Sequence, residues 1–279
     1  MINIIVYLFI SLLILLAVKN ILIYFKNRKN IDVGNRTIIG KEEIQEDYSQ
    51  IICKDYGSLA VIGDGFGKNG IGKISSIIGV KTIINEFEKE PIGRNVPYFF
   101  KSSYIKGNKE VLKRIESENG GTSLLSAIIV DNLLYYSLVG EAMICVFRKG
   151  ELIKLSNGHT MGEVAKAKYS DGKIMREKAL AVINKEKILY YMGQESFKNI
   201  EIIDNPIKLE KNDVVVLMSK GIYKNIYWVE LEELLSRNIK PYMMCEEIID
   251  RVKCNTDNCN GSIILIKYLR NKAKEKNKN

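Results

Sequence analysis

Histidine is almost missing from this 279-residue sequence, His159 being the only one. A histidine-rich metal cluster is therefore excluded, and a Ser-His-Asp triad would hang on that single side chain. His159 itself reads as a polar loop residue. Proline is also scarce, with 4 residues, while 46% of the chain is hydrophobic and 27% charged, which excludes a disordered linker and a low-complexity fibre. The five cysteines, Cys53, Cys145, Cys245, Cys254 and Cys259, are odd in number and form no C-x-x-C pair. They read as reduced thiols and not as a zinc site. Net charge is lacking where a nucleic-acid-binding fold would need it. Of the formal +9, four charges fall in residues 1–30 and five in residues 267–279, leaving residues 31–266 neutral. A nucleic-acid partner is excluded on that ground.

What is present begins with an apolar run. Ile2 to Val18 carries no charge over 17 residues, and Ile21 to Phe25 resumes the run after Lys19 and Asn20. At ~1.5 Å per residue of helix this crosses a bilayer, for which about 20 residues suffice. A cleaved secretory signal is the competing reading, but a basic start and a small-x-small cleavage site are both missing. Lys26, Arg28 and Lys29 follow directly, and basic flanks stay on the cytoplasmic side. The expected organisation is a single-pass transmembrane anchor over 1–25, a basic and polar linker over 26–38, one cytoplasmic domain over 39–269 and a basic tail over 270–279.

Short apolar runs over Ser58–Gly63, Ser123–Asp131, Leu133–Val139, Ala142–Arg148, Ile188–Met192, Val214–Met218 and Ser262–Tyr268 predict strands. Brief turns between several of them favour antiparallel hairpins. Helical spacing predicts helices over Lys73–Glu88, with Ile77, Val80, Ile84 and Phe87 on one face, and over Lys109–Ile115, Trp228–Leu235 and Met243–Val252. The class is α+β, with helices grouped outside hairpin-built sheets.

The most informative stretch runs from Gly63 to Lys73, where GDGFGKNGIGK leaves a strand and enters a helix. As a P-loop it lacks the magnesium-binding hydroxyl, Ile74 standing in that place. As a dinucleotide fingerprint it lacks an acid at the end of a second strand, because Glu86 and Glu88 fall within the helix. A third reading centres on Asp64, a carboxylate at a strand end beside a glycine carbonyl, the surrounding that a hard cation chooses.

Several blocks in order resemble the protein phosphatase 2C family, the metal-dependent PPM-type Ser/Thr phosphatases. Glu46-Asp47 is similar to its first acidic pair, and Val61 to Gly67 to its strand and Asp-Gly-x-Gly loop. Gly120-Gly121-Thr122-Ser123, Tyr136 to Glu141 (YSLVGE), Gly158-His159-Thr160, Asp213 to Gly221 (DVVVLMSKG) and Cys259 to Ile266 (CNGSIILI) resemble the remaining motifs. The resemblance covers about residues 39 to 268. It implies a two-sheet β-sandwich flanked by helices, with two magnesium or manganese ions in a cleft at one end holding the water that hydrolyses a phosphoserine or phosphothreonine. Matched residue by residue, Glu46, Asp64 and the carbonyl of Gly65 would serve one ion, and Glu141 stands near the place of a third.

Three positions depart from the pattern. Lys220 and Cys259 replace two metal-ligating aspartates, and Glu42 replaces a phosphate-binding arginine. An ammonium cannot ligate a metal, and a thiol is a poor partner for hard cations. At most one Mn or Mg ion is expected, or none, with Lys220 lying among Asp64 and Glu46 in place of the missing charge. A two-residue offset in the closing strand would instead let Asp257 restore one ligand. Two functions remain open: a membrane-anchored pseudophosphatase that binds phosphoproteins or docks a kinase in the cytoplasm, and an active phosphoserine/phosphothreonine hydrolase with an unusual metal site.

Overall fold

The computed structural model describes residues 14–16, 18, 30–89, 91, 95–116, 119–255 and 259–269. The expected anchor over 1–25 therefore lies outside the described residues apart from 14–16 and 18, which are helical and exposed. Among the described residues no helix is long and apolar enough to cross a membrane. The tail over 270–279 and Asp257 also lie outside them.

Eleven strands are described: β1 (Ile31–Ile38), β2 (Tyr48–Lys54), β3 (Gly57–Gly67), β4 (Gly120–Val130), β5 (Leu133–Val139), β6 (Ala142–Arg148), β7 (Glu151–Lys154), β8 (Glu201–Ile202), β9 (Ile207–Lys208), β10 (Val214–Ser219) and β11 (Gly261–Tyr268). They form two antiparallel sheets, one ordered β1-β11-β10-β6-β7 and the other β2-β3-β4-β5-β8, with β9 also pairing β5. Face to face the sheets enclose Ala60, Ile62, Leu125, Leu138, Val215, Leu217, Ile264 and Ile266.

The outer faces are covered by helices. On the six-stranded sheet lie α1 (Ile71–Lys89) and α2 (Val96–Ile115), whose Val80, Ile83, Phe87 and Phe100 meet Leu59, Val61 and Leu124. Behind the other sheet, α6 (Trp228–Ser236) and α7 (Pro241–Lys253) bring Leu231, Leu234 and Ile248 onto Val214, Val216 and Met218. The short helices α3 (Met161–Ser170), α4 (Arg176–Leu180) and α5 (Lys220–Tyr223) lie nearer the chemistry described below. Because β3, β4 and β10 are covered on both faces, they need apolar residues at both parities, which explains their continuous runs. Each fully buried Leu, Ile or Phe contributes about 1.5 to 3 kcal/mol of transfer free energy.

Three expectations are corrected. Residues 31–38 were expected within a linker but form β1, hydrogen-bonded along the closing strand from Ile31↔Tyr268 to Ile38↔Gly261. Its sequence, IDVGNRTI, mixes polar residues with a few apolar ones because it is an edge strand with one covered neighbour. Ile188–Met192 does not form a strand; only its ends make isolated bridges, Ile188 to Thr160 and Met192 to Thr122. Lys109–Ile115 is the last part of α2, which begins at Val96. The Asn95 side chain caps it by accepting the Tyr98 N–H at 3.0 Å. The earlier turns escaped notice because the buried positions Ser103, Gly107 and Asn108 break the apolar stripe.

Candidate functional site

One end of the sandwich gathers the chain segments singled out in the sequence. β3 delivers Asp64 and Gly65 opposite Ser123 and Thr122 of β4. Glu46 and Asp47 stand just before β2, Glu141 lies in the turn between β5 and β6, Lys220 opens α5 after β10, and Cys259 precedes β11. The glycine-rich loop runs from β3 into α1. β3 pairs antiparallel with both its neighbours. The P-loop and dinucleotide readings both need the parallel βαβ setting and are overturned by that topology.

The backbone packs tightly around these residues. A side chain at Gly65 would overlap the Gly72 carbonyl and the backbone oxygen of Glu46, and one at Gly72 would strike the Glu46 carboxylate. Glu46 is thereby set against the first turn of α1, and in the second turn Ser76 Oγ donates to its carbonyl at 2.5 Å. Helix N-termini favour such a negative charge.

Asp47 is 5% exposed. Ser219 Oγ donates to its Oδ2 at 2.7 Å and itself accepts the Ser262 N–H at 2.8 Å. Its Oδ1 is buried without a hydrogen-bond partner. Burial pushes the carboxyl up to about 6, against the hydrogen bond from Ser219. Asp64 stands well above the ordinary carboxylate range, first through burial and then through the charge of Asp47, with the Lys220 N–H acting in the opposite direction. That amide donates to Asp64 Oδ2 at 3.0 Å. Glu46 is also raised, by burial and then by Glu42. The Cys259 thiol is raised by burial and then by the charge of Asp64, with smaller contributions from Asp47 and Glu42.

The Lys220 ammonium lies elsewhere than expected. It does not bridge Asp64 and Glu46; its Nζ reaches Glu141 Oε2 at 3.2 Å and Glu186 Oε2 at 3.1 Å. The Glu141 side chain is 8% exposed and also accepts from Tyr223 OH at 3.0 Å. A nearly buried carboxylate needs such partners, and the lysine side chain is long enough to supply one while its own amide stays on Asp64. Burial works against the Lys220 charge, yet Glu141 and Glu186 more than offset it and hold its pKa above the ordinary value. Glu186 is further held by Lys224 at 2.5 Å.

His159 is more than a surface loop residue. Half-buried, its Nδ1 accepts the Gly140 N–H at 3.1 Å while the His159 backbone N–H donates to the Gly140 carbonyl at 2.9 Å. Gly140 has φ +97, and a Cβ there would strike Ser123. Ser123 Oγ in turn accepts the Glu141 N–H at 2.9 Å. His159 and Ser123 thus fix the turn that presents Glu141. Burial lowers the imidazole to about 4, so it remains a neutral acceptor.

Ser219, Tyr223 and Glu186 are the members of this network that the sequence did not reveal. Ser219 had a signal, lying beside Lys220 in a quoted motif. Glu186 had none, because it comes from a polar segment between α4 and β8. Beside this network a cavity of about 440 Å³ is lined by Glu141, Asn157, Thr160, Lys185, Glu186 and Tyr223, among others.

Among the described residues, which leave out Asp257, the donors do not make up a two-ion centre. Among the described residues no group of three or more His, Cys, Asp and Glu side chains is gathered closely enough to hold a metal ion. Asp64, Glu46 and the Gly65 carbonyl remain as oxygen donors, but one Asp64 oxygen is engaged by the Lys220 amide.

No protein-family model matches the chain. Among curated proteins it is similar to Protein phosphatase PhpP of Streptococcus pneumoniae, 25% identical over 217 residues that make up 75% of this chain and 86% of that protein. Among solved structures it is similar to the Streptococcus agalactiae serine/threonine phosphatase, with TM-score 0.76, 18% identity, and coverage of 86% of this chain and 100% of the other. The Mycobacterium tuberculosis serine/threonine phosphatase PstP matches with TM-score 0.69 and 17% identity, covering 86% and 99%. A structure of the PstP catalytic domain in complex with two manganese ions matches equally well. In fold the chain is similar to these serine/threonine phosphatases, and in sequence to PhpP.

Proposed function

We propose that this PPM-type domain is a pseudophosphatase, a module that binds or regulates phosphoproteins without hydrolysing them, held at the cytoplasmic face of the cell membrane by the apolar segment over 1–25. The observation that carries the reading is Lys220. Where the family resemblance calls for a metal-ligating aspartate, this chain puts a lysine whose amide bonds Asp64 and whose ammonium neutralises Glu141. Cys259, in the other ligand position, has its thiol raised and so kept protonated. Phosphoryl transfer to water would need a developing charge to be stabilised and a water to be activated, and the two-ion route to both lacks its ligands here. One Mn or Mg ion at Glu46, Asp64 and Gly65 is the most that these donors support. The relatives act as phosphatases by name, which favours a phosphoprotein as the partner.

The test is phosphate release from a phosphothreonine peptide by the full chain with manganese, beside a Lys220→Asp, Cys259→Asp double variant. The unmodified chain is expected to release none and the double variant to gain manganese-dependent release. Hydrolysis by the unmodified chain would make it an active metal-dependent phosphatase, the second reading.

A further inference from the structure

The two helical layers that cover the sandwich carry opposite charge. Within the neutral span over 31–266, α1 and α2 together hold eight lysines and arginines against three glutamates. Behind the other sheet, α6 and α7 hold six acids against two bases. The acids of that second layer are already engaged. Glu230 meets Arg251, Glu233 and Glu247 meet Arg237, Glu246 meets Arg36, and Asp250 meets Lys253, while Glu232 accepts the Leu152 amide at 2.9 Å. The bases of the first layer are not matched in the same way.

Between α1 and α2 lies an open groove of about 520 Å³. The helices run antiparallel: Glu86, near the end of α1, meets Lys106 of α2 at 2.8 Å, while a side chain at Gly120, just past α2, would strike Ile71 at the start of α1. Ile78, packed on the core beneath, lines the groove with Thr82, whose hydroxyl is spent on the Ile78 carbonyl at 2.8 Å. Five cations stand around them, Lys81, Lys89, Lys106, Lys113 and Arg114. Only two carboxylates answer these. Glu86 is shared by Lys89 at 2.6 Å and Lys106 at 2.8 Å, and Glu110 takes Lys113 at 2.9 Å. Glu88 is engaged by Lys54 instead. Among the described residues Lys81 and Arg114 form no ion pair. Burial works against the Glu86 charge, yet Lys106 and Lys89 more than offset it and lower its pKa, so the groove favours an ionised carboxylate. From Ile78 to Lys89 α1 rises about 16 Å at ~1.5 Å per residue, the length of about five extended residues.

We propose that this groove docks an extended acidic segment of a partner protein, its carboxylates meeting Lys81, Lys89, Lys106 and Arg114 and its backbone lying over Ile78 and Thr82. The docking face is the outer side of the six-stranded sheet and not the cleft. It goes beyond the pseudophosphatase reading by naming a partner chemistry that asks nothing of a phosphate. A guanidinium pairs a carboxylate through two parallel bonds, and a groove lined by one sign of charge steers an opposite segment into place and fixes its register. A flat bilayer would leave the recessed Glu86 facing its anions. A nucleic-acid strand carries a charge at every step and could not avoid Glu86 and Glu110, whereas a peptide can set its acids between them. A second copy is disfavoured because its acidic layer is already paired internally.

Lysine footprinting reads the site directly. The full chain in a neutral detergent would be acetylated alone, with an excess of a short Glu-Ser peptide, and with its Gln-Ser counterpart. Lower acetylation of Lys81, Lys89 and Lys106 is expected with the acidic peptide and not with the glutamine one. Lys101 and Lys109, exposed on α2 but outside the groove, should not change. Affinity is read from the anisotropy of the fluorescein-labelled acidic peptide. Lys81→Glu with Arg114→Glu should weaken binding about ten-fold or more and remove the protection of Lys89 and Lys106, whereas Lys101→Glu with Lys109→Glu, an equal change of charge on the same layer, should weaken it by no more than about three-fold.

Equal losses in the two double variants, equal protection by the glutamine peptide, or protection confined to lysines outside the groove would overturn the proposal. So would tighter groove-dependent binding of anionic vesicles or of oligothymidylate, or a dimer in sedimentation that the groove variant dissolves, since each names another occupant. If the groove variant fails to fold, the footprint of the unmodified chain decides. Phosphate release is a separate readout: a chain that hydrolyses the phosphothreonine peptide would end the pseudophosphatase reading and leave the groove standing.

Discussion

The interior of the sandwich and the cleft at its end are built from adjacent residues of the same strands, yet they obey different rules. In the interior, Val215 and Leu217 of β10 meet Ile264 and Ile266 of β11 in a layer of aliphatic side chains. Two residues beyond Leu217 the strand ends at Ser219, and Lys220 follows at the start of α5; together they hold Asp47, Asp64 and Glu141. The interior is set by volume, while the cleft is set by charge balance, and the second can be rewritten without disturbing the first. Lys220 is tolerated there because it finds Glu141 and Glu186 already in place.

The largest effect that would sharpen this contrast is in the interior. Leu217→Ala should lower unfolding free energy by about 2 to 5 kcal/mol, the cost of lost burial plus a cavity between two sheets that cannot collapse. Urea denaturation measures it, and a loss under about 1 kcal/mol would mean that the sheets pack more loosely than described.

A smaller effect is expected at the cleft. Lys220→Met leaves Glu141 nearly buried beside Tyr223 with no cation, and should cost about 1 to 2 kcal/mol, reduced from the value for a fully buried pair because the lysine side chain is 36% exposed. Adding Glu141→Gln should restore most of it, since an amide needs no counter-charge. If the double variant is no more stable than Lys220→Met alone, the pair is not what holds the turn.

The smallest effect is a slope. His159 has its folded pKa lowered from 6.5 to about 4, so the unfolded state binds a proton that the folded state does not. The stability contributed by keeping it neutral is full above about 6.5 and is lost as pH falls toward 4. His159→Gln should flatten thermal stability across that window relative to the parent. An unchanged slope would assign the acid sensitivity to other groups.

Much of the fold was legible. The runs in β3, β4, β5, β6, β10 and β11 and the stripes of α1, α6 and α7 stand where their periodicity put them, because burial on both faces or on one helical face leaves a strong pattern. β1 fell in the expected polar linker and β2 gave no strand signal because their side chains are only partly covered, and the early turns of α2 gave no helix signal because Ser103 and Asn108 fill buried positions. Within the candidate site, Asp64, Glu46 and Lys220 were legible from motif order. The partner of the Lys220 ammonium was not: its direction depends on Glu186, which comes from a segment with no pattern of its own, and on a turn held open by His159.

The sequence by itself determined the α+β class and the glycine-lined strand end from local spacing, and its resemblance pointed to the sandwich and to a lysine and a cysteine where that pattern has aspartates. Only the tertiary structure decided that the Lys220 amide and ammonium serve different carboxylates. It alone decided, too, that Asn30 and Leu269 lie hydrogen-bonded at the end of the sandwich away from Asp64. Such facts depend on which strands pair and in what register, and pairing between residues at opposite ends of a chain is fixed by the packing of the whole core rather than by any local pattern.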